Sequence, residues 1–475
     1  MAQVRELPQV IQGGMGVGVS SWQLAKSVSC AGGLGVVSGT ALDVVLARRL
    51  QDGDQGGHMR RALAAFPEQG MARRALDTYF QPEGRPEGRP HRPVPKLTLR
   101  QSPRQQELAV VANFVEVWLA KDGHDGLVGV NYLEKVQMAT PTAALGAMLA
   151  GVDYVLMGAG LPRQIPRLLD DLAAGVVAGV DVDVHGAEHP HRVTVDPRGH
   201  LGDSLPDLAR PRFLAIVSAN VLAAYLARDD STRPDGFVVE GPRAGGHNAP
   251  PRGKLELDDR DEPVYGPRDE VDLDKLSALG IPFWLAGGQG TPERLAEALS
   301  RGAAGVQVGT LFALAADSGL DPQLRDQFVD QLASGTLDVR TDPRASPTGF
   351  PFKVAQAAGT LSDAPVYDAR RRLCDLSYLR TPYQTPEGNV GYRCPGEPAQ
   401  MYVRKGGDLA DTIGRKCLCN ALTADIGLAQ TRRDGYVEPP LVTLGSDLTG
   451  VEELAALRPT GWSATDVVGW LMTGT

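Results

Sequence analysis

The chain lacks a cationic excess: its 48 lysines and arginines face 57 acids, a formal charge of −9. That balance argues against non-specific nucleic-acid binding. No apolar run approaches the roughly 20 residues needed to cross a bilayer, and MAQVRELPQVIQ at the start has no uninterrupted apolar segment of the signal-peptide kind. Five cysteines, four of them late, are too few for a disulfide framework in 475 residues. A cytoplasmic protein bound to neither nucleic acid nor membrane is the expectation. Two nucleotide signatures are missing as well. The glycine turn at Gly13–Gly16 is not G-x-G-x-x-G, because Val19 and Ser21 occupy the sixth places, and no Walker lysine follows a glycine loop.

What is present centres on residues 281–310, IPFWLAGGQGTPERLAEALSRGAAGVQVGT. Ile281–Ala286 has the length and apolarity of a strand, and Gly287-Gly288-Gln289-Gly290 interrupts it. Thr291 suits an N-cap and Pro292 the first helical position. Arg301-Gly302 ends the helix, and Gly305–Val308 is a second buried strand closed by Gly309-Thr310. Two successive strands thus end in glycine loops on one side of a parallel sheet, where bare amides can approach a phosphate. In an eight-fold α/β barrel, the loops after the last two strands commonly do this.

The remaining strand candidates are 8–12, 34–38, 127–131, 154–158, 213–218 and 237–240, with helical segments between most of them. Eight strands alternating with helices predict a (β/α)8 TIM barrel. A helix is expected from Ser20 or Ser21, a long amphipathic helix from Ala41 to about Arg74, and further helices over 105–121, 142–150 and 165–174. Residues 180–197 alternate with period two and read as an inserted β-hairpin. Its His185, His189 and His191 lack an acidic partner at metal-site spacing, so no metal is expected there.

Two polar residues stand at C-terminal strand ends, where barrels place chemistry. Asn131 ends LVGVN and either bonds a ligand or caps the next turn. His247 lies in EGPRAGGHNAPPRG, on a loop freed by Gly245 and Gly246. There it either moves a proton, holds an oxyanion, or meets solvent.

Together, VIQGGMG (10–16), VGVN (128–131), AGGH (244–247), IPFWLAGGQG (281–290) and VQVGT (306–310) resemble the flavin-dependent nitronate monooxygenase family, formerly 2-nitropropane dioxygenases. FMN-dependent enoyl-acyl-carrier-protein reductases are related to that family. The resemblance spans roughly residues 8–320 and implies an FMN barrel. Gly13, Gly14 and Met15 would lie by the isoalloxazine ring, with Asn131 bonding the cofactor and Glu240, Gly245 and Gly246 approaching it. Gly287, Gly288, Gln307, Val308, Gly309 and Thr310 would hold its phosphate, and His247 would be catalytic. Glu240 stands where many nitronate monooxygenases carry glutamine, closer to the reductase branch.

The activity this implies is oxidation of an alkyl nitronate with dioxygen. The alternatives are an NAD(P)H-dependent enoyl-thioester reductase and, outside enzymes, a flavin-binding partner subunit. A homodimer is compatible with any of these. Residues 321–475 read as an extension packed on the barrel and partly over its mouth, with a helix over 414–430. Cys374, Cys394, Cys417 and Cys419 lie there. Their closest pair is C-x-C rather than C-x-x-C, and they read as reduced structural cysteines, not a metal site.

Overall fold

A computed structural model describes residues 6–474. Its eight parallel strands are β1 (Val10–Gln12), β2 (Gly35–Ser38), β3 (Val128–Leu133), β4 (Tyr154–Gly158), β5 (Arg212–Val217), β6 (Gly236–Glu240), β7 (Phe283–Ala286) and β8 (Gly305–Val308). They run in the order 1-8-7-6-5-4-3-2. β1 pairs with β8 at Ile11–Gln307, and the bridge from Ile11 to Leu34 closes the ring at β2. All eight strands therefore fall within about two residues of where apolar runs place them. The strands are buried on both faces, as parallel strands covered by helices must be. Ile11, Val36, Leu156, Leu214, Val238 and Trp284 fill the barrel interior, and the Trp284 indole donates to the Pro8 carbonyl at 2.6 Å.

Two predicted helices are corrected. The segment 41–74 is broken into Leu42–Gln51, His58–Ala64 and a helix from Gln69 to Tyr79. Asp54, Gly56 and Gly57 take left-handed backbone in the first break, and Pro67 lies in the second. The first break, Asp52-Gly53-Asp54-Gln55-Gly56-Gly57, carries three glycines and no apolar residue, a turn signal that the leucines spaced on either side of it overrode in the reading of the sequence. The helix over 414–430 shrinks to Leu418–Ala424, because Gly414 and Gly427 adopt positive φ on either side.

The inserted hairpin pairs Ala178–Val182 with His191–Val195. It docks by backbone: the His185 amide donates to the Pro382 carbonyl at 3.0 Å. After β8 and a short helix, Thr310–Ala313, the chain leaves the barrel and then returns. Its last helix, Ala464–Thr473, packs between helices Trp22–Cys30 and Pro292–Ser300. Ser463 and Asp466 form a capping box at its start, and the Trp462 indole donates to the Leu311 carbonyl at 2.8 Å. No helix among the described residues is long and apolar enough to cross a membrane.

Candidate functional site

The glycine loops at the C-terminal ends of β1, β6, β7 and β8 surround a cleft of about 400 Å³. Gly13, Gly14, Met15, Glu240, Gly245, Gly246, Gly287, Gly288, Gln307, Val308, Gly309 and Thr310 all line it. Behind it lies an inner pocket of about 140 Å³, reached past Gly14, Glu240, Gly245 and Gly246, which border both spaces. Asn131 and His247 line this inner pocket. Every residue expected to hold or act beside the cofactor thus lines one of two adjoining cavities.

The first loop owes its shape to two residues that sequence reasoning passed over. Ser20 Oγ accepts from the Met15 amide at 2.9 Å and donates to the Gly13 carbonyl at 2.9 Å. Gln12 Nε2 donates to Ser20 Oγ at 2.7 Å, while its Oε1 accepts from the Val36 amide at 3.0 Å. A buried glutamine ending a strand was the available signal. At Gly14, a Cβ would sit 2.3 Å from the Asn131 Cβ, so only glycine fits between β3 and the cleft. Gly287 and Gly288 have φ of 85° and 73°, which turns the loop after β7 across the cleft mouth.

The far wall comes from the extension. Thr443–Gly445, Asp447 and Thr449–Val451 line the cleft opposite the barrel loops. Thr443 Oγ1 accepts from the Gly246 amide at 2.7 Å, and Thr310 Oγ1 accepts from the Gly445 amide at 2.8 Å. Arg243 pairs with Asp447 at 2.9 Å. These contacts join residues 135 to 204 positions apart, so no local pattern announces them.

His247 is held on three sides by the same extension. The Lys353 amide donates to the Gly246 carbonyl at 2.9 Å, and the Asn248 amide to the Pro351 carbonyl at 2.9 Å. The imidazole meets the Phe352 ring edge-on at 4.9 Å between centroids, and its Nε2 lies 2.7 Å from Ser346 Oγ. Burial, with Lys135 nearby, pushes its pKa down to about 4, so the ring is neutral at pH 7. Burial pushes the Glu240 carboxyl up to about 8, so at pH 7 it is mostly protonated.

FMN, the cofactor implied by the family resemblance, fits the polar groups left open. Asn131 Oδ1 and Gln307 Oε1 are buried acceptors with no partner, an expensive arrangement unless a donor arrives. The ring N–H and ribityl hydroxyls of FMN are such donors. Asn131 Nδ2 is itself occupied by the Gly14 carbonyl at 3.3 Å, so its oxygen is the free end.

A closed parallel barrel whose glycine loops ring a cleft is a cofactor-binding enzyme architecture. Residues 208–342 match the family model for nitronate monooxygenase. The resemblance to that family therefore stands, carried by the half of the barrel that holds Glu240, His247 and the glycine loops after β7 and β8. A curated relative from Mycobacterium tuberculosis, (3aS,4S,5R,7aS)-5-hydroxy-7a-methyl-1-oxo-octahydro-1H-indene-4-carboxyl-CoA dehydrogenase, is 29% identical over 210 residues. The match covers 40% of this chain and 56% of the relative, so the chain spans about half that relative's length. Family and relative are both oxidoreductases, the enzyme class expected here.

Among solved structures, the enoyl reductase domain of MlnA from Bacillus amyloliquefaciens is similar at 11% identity and a TM-score of 0.48, covering 98% of this chain and 94% of that one. A nitroalkane oxidase from Streptomyces ansochromogenes is similar at 14% identity and a TM-score of 0.42, with coverage of 98% and 94%. Likenesses of this degree carry no argument of their own.

Proposed function

We propose that this protein is an FMN-dependent oxidoreductase that oxidises small alkyl nitronates with dioxygen. The observation carrying this reading is the inner pocket, where Asn131, Glu240 and His247 converge behind the glycine-lined cleft. Gly13–Met15 and Gln307 would receive the flavin ring side, and the loops at Gly287-Gly288 and Gly309-Thr310 its phosphate. The chemistry FMN supplies when bound is electron transfer from the substrate to dioxygen.

The chain's own residues hold the anion. At about 140 Å³ the pocket is small, below the several hundred Å³ of typical drug-sized ligand sites. A nitronate entering it meets a protonated Glu240, a hydrogen-bond donor rather than a repelling carboxylate. Lys135 acts on His247 from nearby and adds positive potential on the same side. His247 is poorly matched to a base role, since a conjugate acid near 4 takes a proton from a nitroalkane only weakly. It positions the substrate, and Ser346 sets its ring orientation. Phe352 and Leu422 supply the apolar wall for the alkyl group.

The second reading, an NAD(P)H-dependent enoyl-thioester reductase, is favoured by the neutral Glu240 as a proton donor and by the thioester in the curated relative's name. One anaerobic experiment separates them: record the flavin absorbance on adding propyl nitronate, NADH or NADPH. Bleaching by the nitronate alone is the expected result. Rapid bleaching by either nucleotide would replace this reading with the reductase, and no response to any of them would favour a flavin-binding partner subunit.

A further inference from the structure

The extension brings together four cysteines that arrive on separate stretches of chain. Cys374 follows the helix Ala364–Ala369, and Cys394 directly follows the strand Val390–Arg393. Cys417 is the N-cap of the helix Leu418–Ala424, and Cys419 is in its first turn. All four line one cavity of about 10 Å³, and none is in a disulfide. That space admits roughly one atom-sized occupant.

Hydrogen-bond donors and cations stand around these sulfurs. Backbone amides of Ser377, Gly396 and Asn420 face the sulfurs of Cys374, Cys394 and Cys417. The guanidinium of Arg380 acts on Cys374, and that of Arg370 on Cys417. Buried structural cysteines behave as small hydrophobes and need neither amides nor cations around them. Burial nevertheless pushes Cys374 and Cys394 up, and the contact with Cys417 together with burial raises Cys419, so a further positive charge is what would let all four ionise.

We propose that Cys374, Cys394, Cys417 and Cys419 form a tetrathiolate site for a single divalent metal ion, with zinc the ion that this ligand set selects. Four thiol protons leave as four sulfur–zinc bonds form, giving a centre of net charge −2 beside Arg380 and the Arg370–Glu438 pair. Among the described residues, no three His, Cys, Asp or Glu side chains already stand as a metal cage. Binding therefore draws the sulfurs inward, to about 2.3 Å from the ion. An iron–sulfur cluster is too large for the cavity. The ion ties three segments of the extension together and fixes the start of the helix that carries Leu422 into the inner pocket. The site stands independently of which substrate the barrel takes.

The test uses the full chain, purified without chelator from zinc-supplemented cells. Metal analysis is followed by titration with a mercurial thiol reagent, with released zinc read by a chromophoric chelator. The expected result is about one zinc per chain, freed only as about four thiols react. Cys394→Ser is expected to lower zinc content at least about tenfold, whereas Cys30→Ser, at an exposed cysteine, retains it. Three results would each overturn the proposal: zinc below about a tenth of an equivalent with the four thiols reacting independently, zinc retained in both Cys374→Ser and Cys394→Ser, or inorganic sulfide in the protein. If the serine variants fail to fold, the titration of the unmodified protein decides.

Discussion

His247 Nε2 and Ser346 Oγ lie 2.7 Å apart across 99 positions of sequence, which binds the chemistry of the sixth barrel loop to the C-terminal extension. Ser346 is fully buried, and its hydroxyl also meets Thr348 Oγ1 at 2.8 Å. Ser346→Ala should release the ring and lower kcat/KM for a nitronate about 5- to 10-fold, the worth of one hydrogen bond. His247→Ala should cost about 100-fold or more. Steady-state oxygen uptake checks both.

The neutral ring also predicts a pH response. A histidine pushed down to about 4 in the folded state binds fewer protons than the unfolded chain between about pH 4 and 6.5. Its contribution to stability is therefore present above pH 6.5 and is lost as pH falls towards 4. His247→Gln should flatten this part of the urea-midpoint profile between pH 4 and 6.5.

Glu240 runs the other way. Its carboxyl, raised to about 8, keeps its proton in the folded state where the unfolded chain has lost it. Stability therefore declines from about pH 4.5 to 8, and Glu240→Gln should remove that decline and gain up to a few kcal/mol at pH 9. As pH rises through about 8, kcat/KM for a nitronate should fall as the carboxylate forms, and the glutamine variant should lose this alkaline limb. A pH profile of the two proteins compares them directly.

The strap at 443–451 closes the cleft at close quarters. A Cβ on Gly450 would sit 1.9 Å from the Gly290 carbonyl oxygen. Gly450→Ala should push the strap off the β7 loop, cost about 1–3 kcal/mol and lower retained flavin. The ratio of flavin to protein absorbance after gel filtration measures this without turnover.

Arg370 and Glu438 form a fully buried ion pair at 2.7 Å. Arg370→Met strands the Glu438 carboxylate and should cost about 3–5 kcal/mol, while Arg370→Met with Glu438→Leu should recover most of that. Urea unfolding of the two variants tests the difference.

The amino-acid sequence by itself determined the barrel. Each strand is a short apolar run bounded by glycine or polar residues, and that signal is local, so eight strands and their glycine loops were legible without coordinates. The helices over 41–74 and 414–430 were not, because backbone reversals at Asp54, Gly57 and Gly427 interrupt a periodicity that continues past them. Tertiary structure alone decided the second wall of the cleft, the partner of His247, and the gathering of four cysteines around one cavity. It also decided that the helix Ala464–Thr473 takes its place in the barrel's outer ring. Each of these is set by packing between segments far apart in the chain, and the residue types involved (serine, threonine, glycine, cysteine) carry no spacing that reveals their partner.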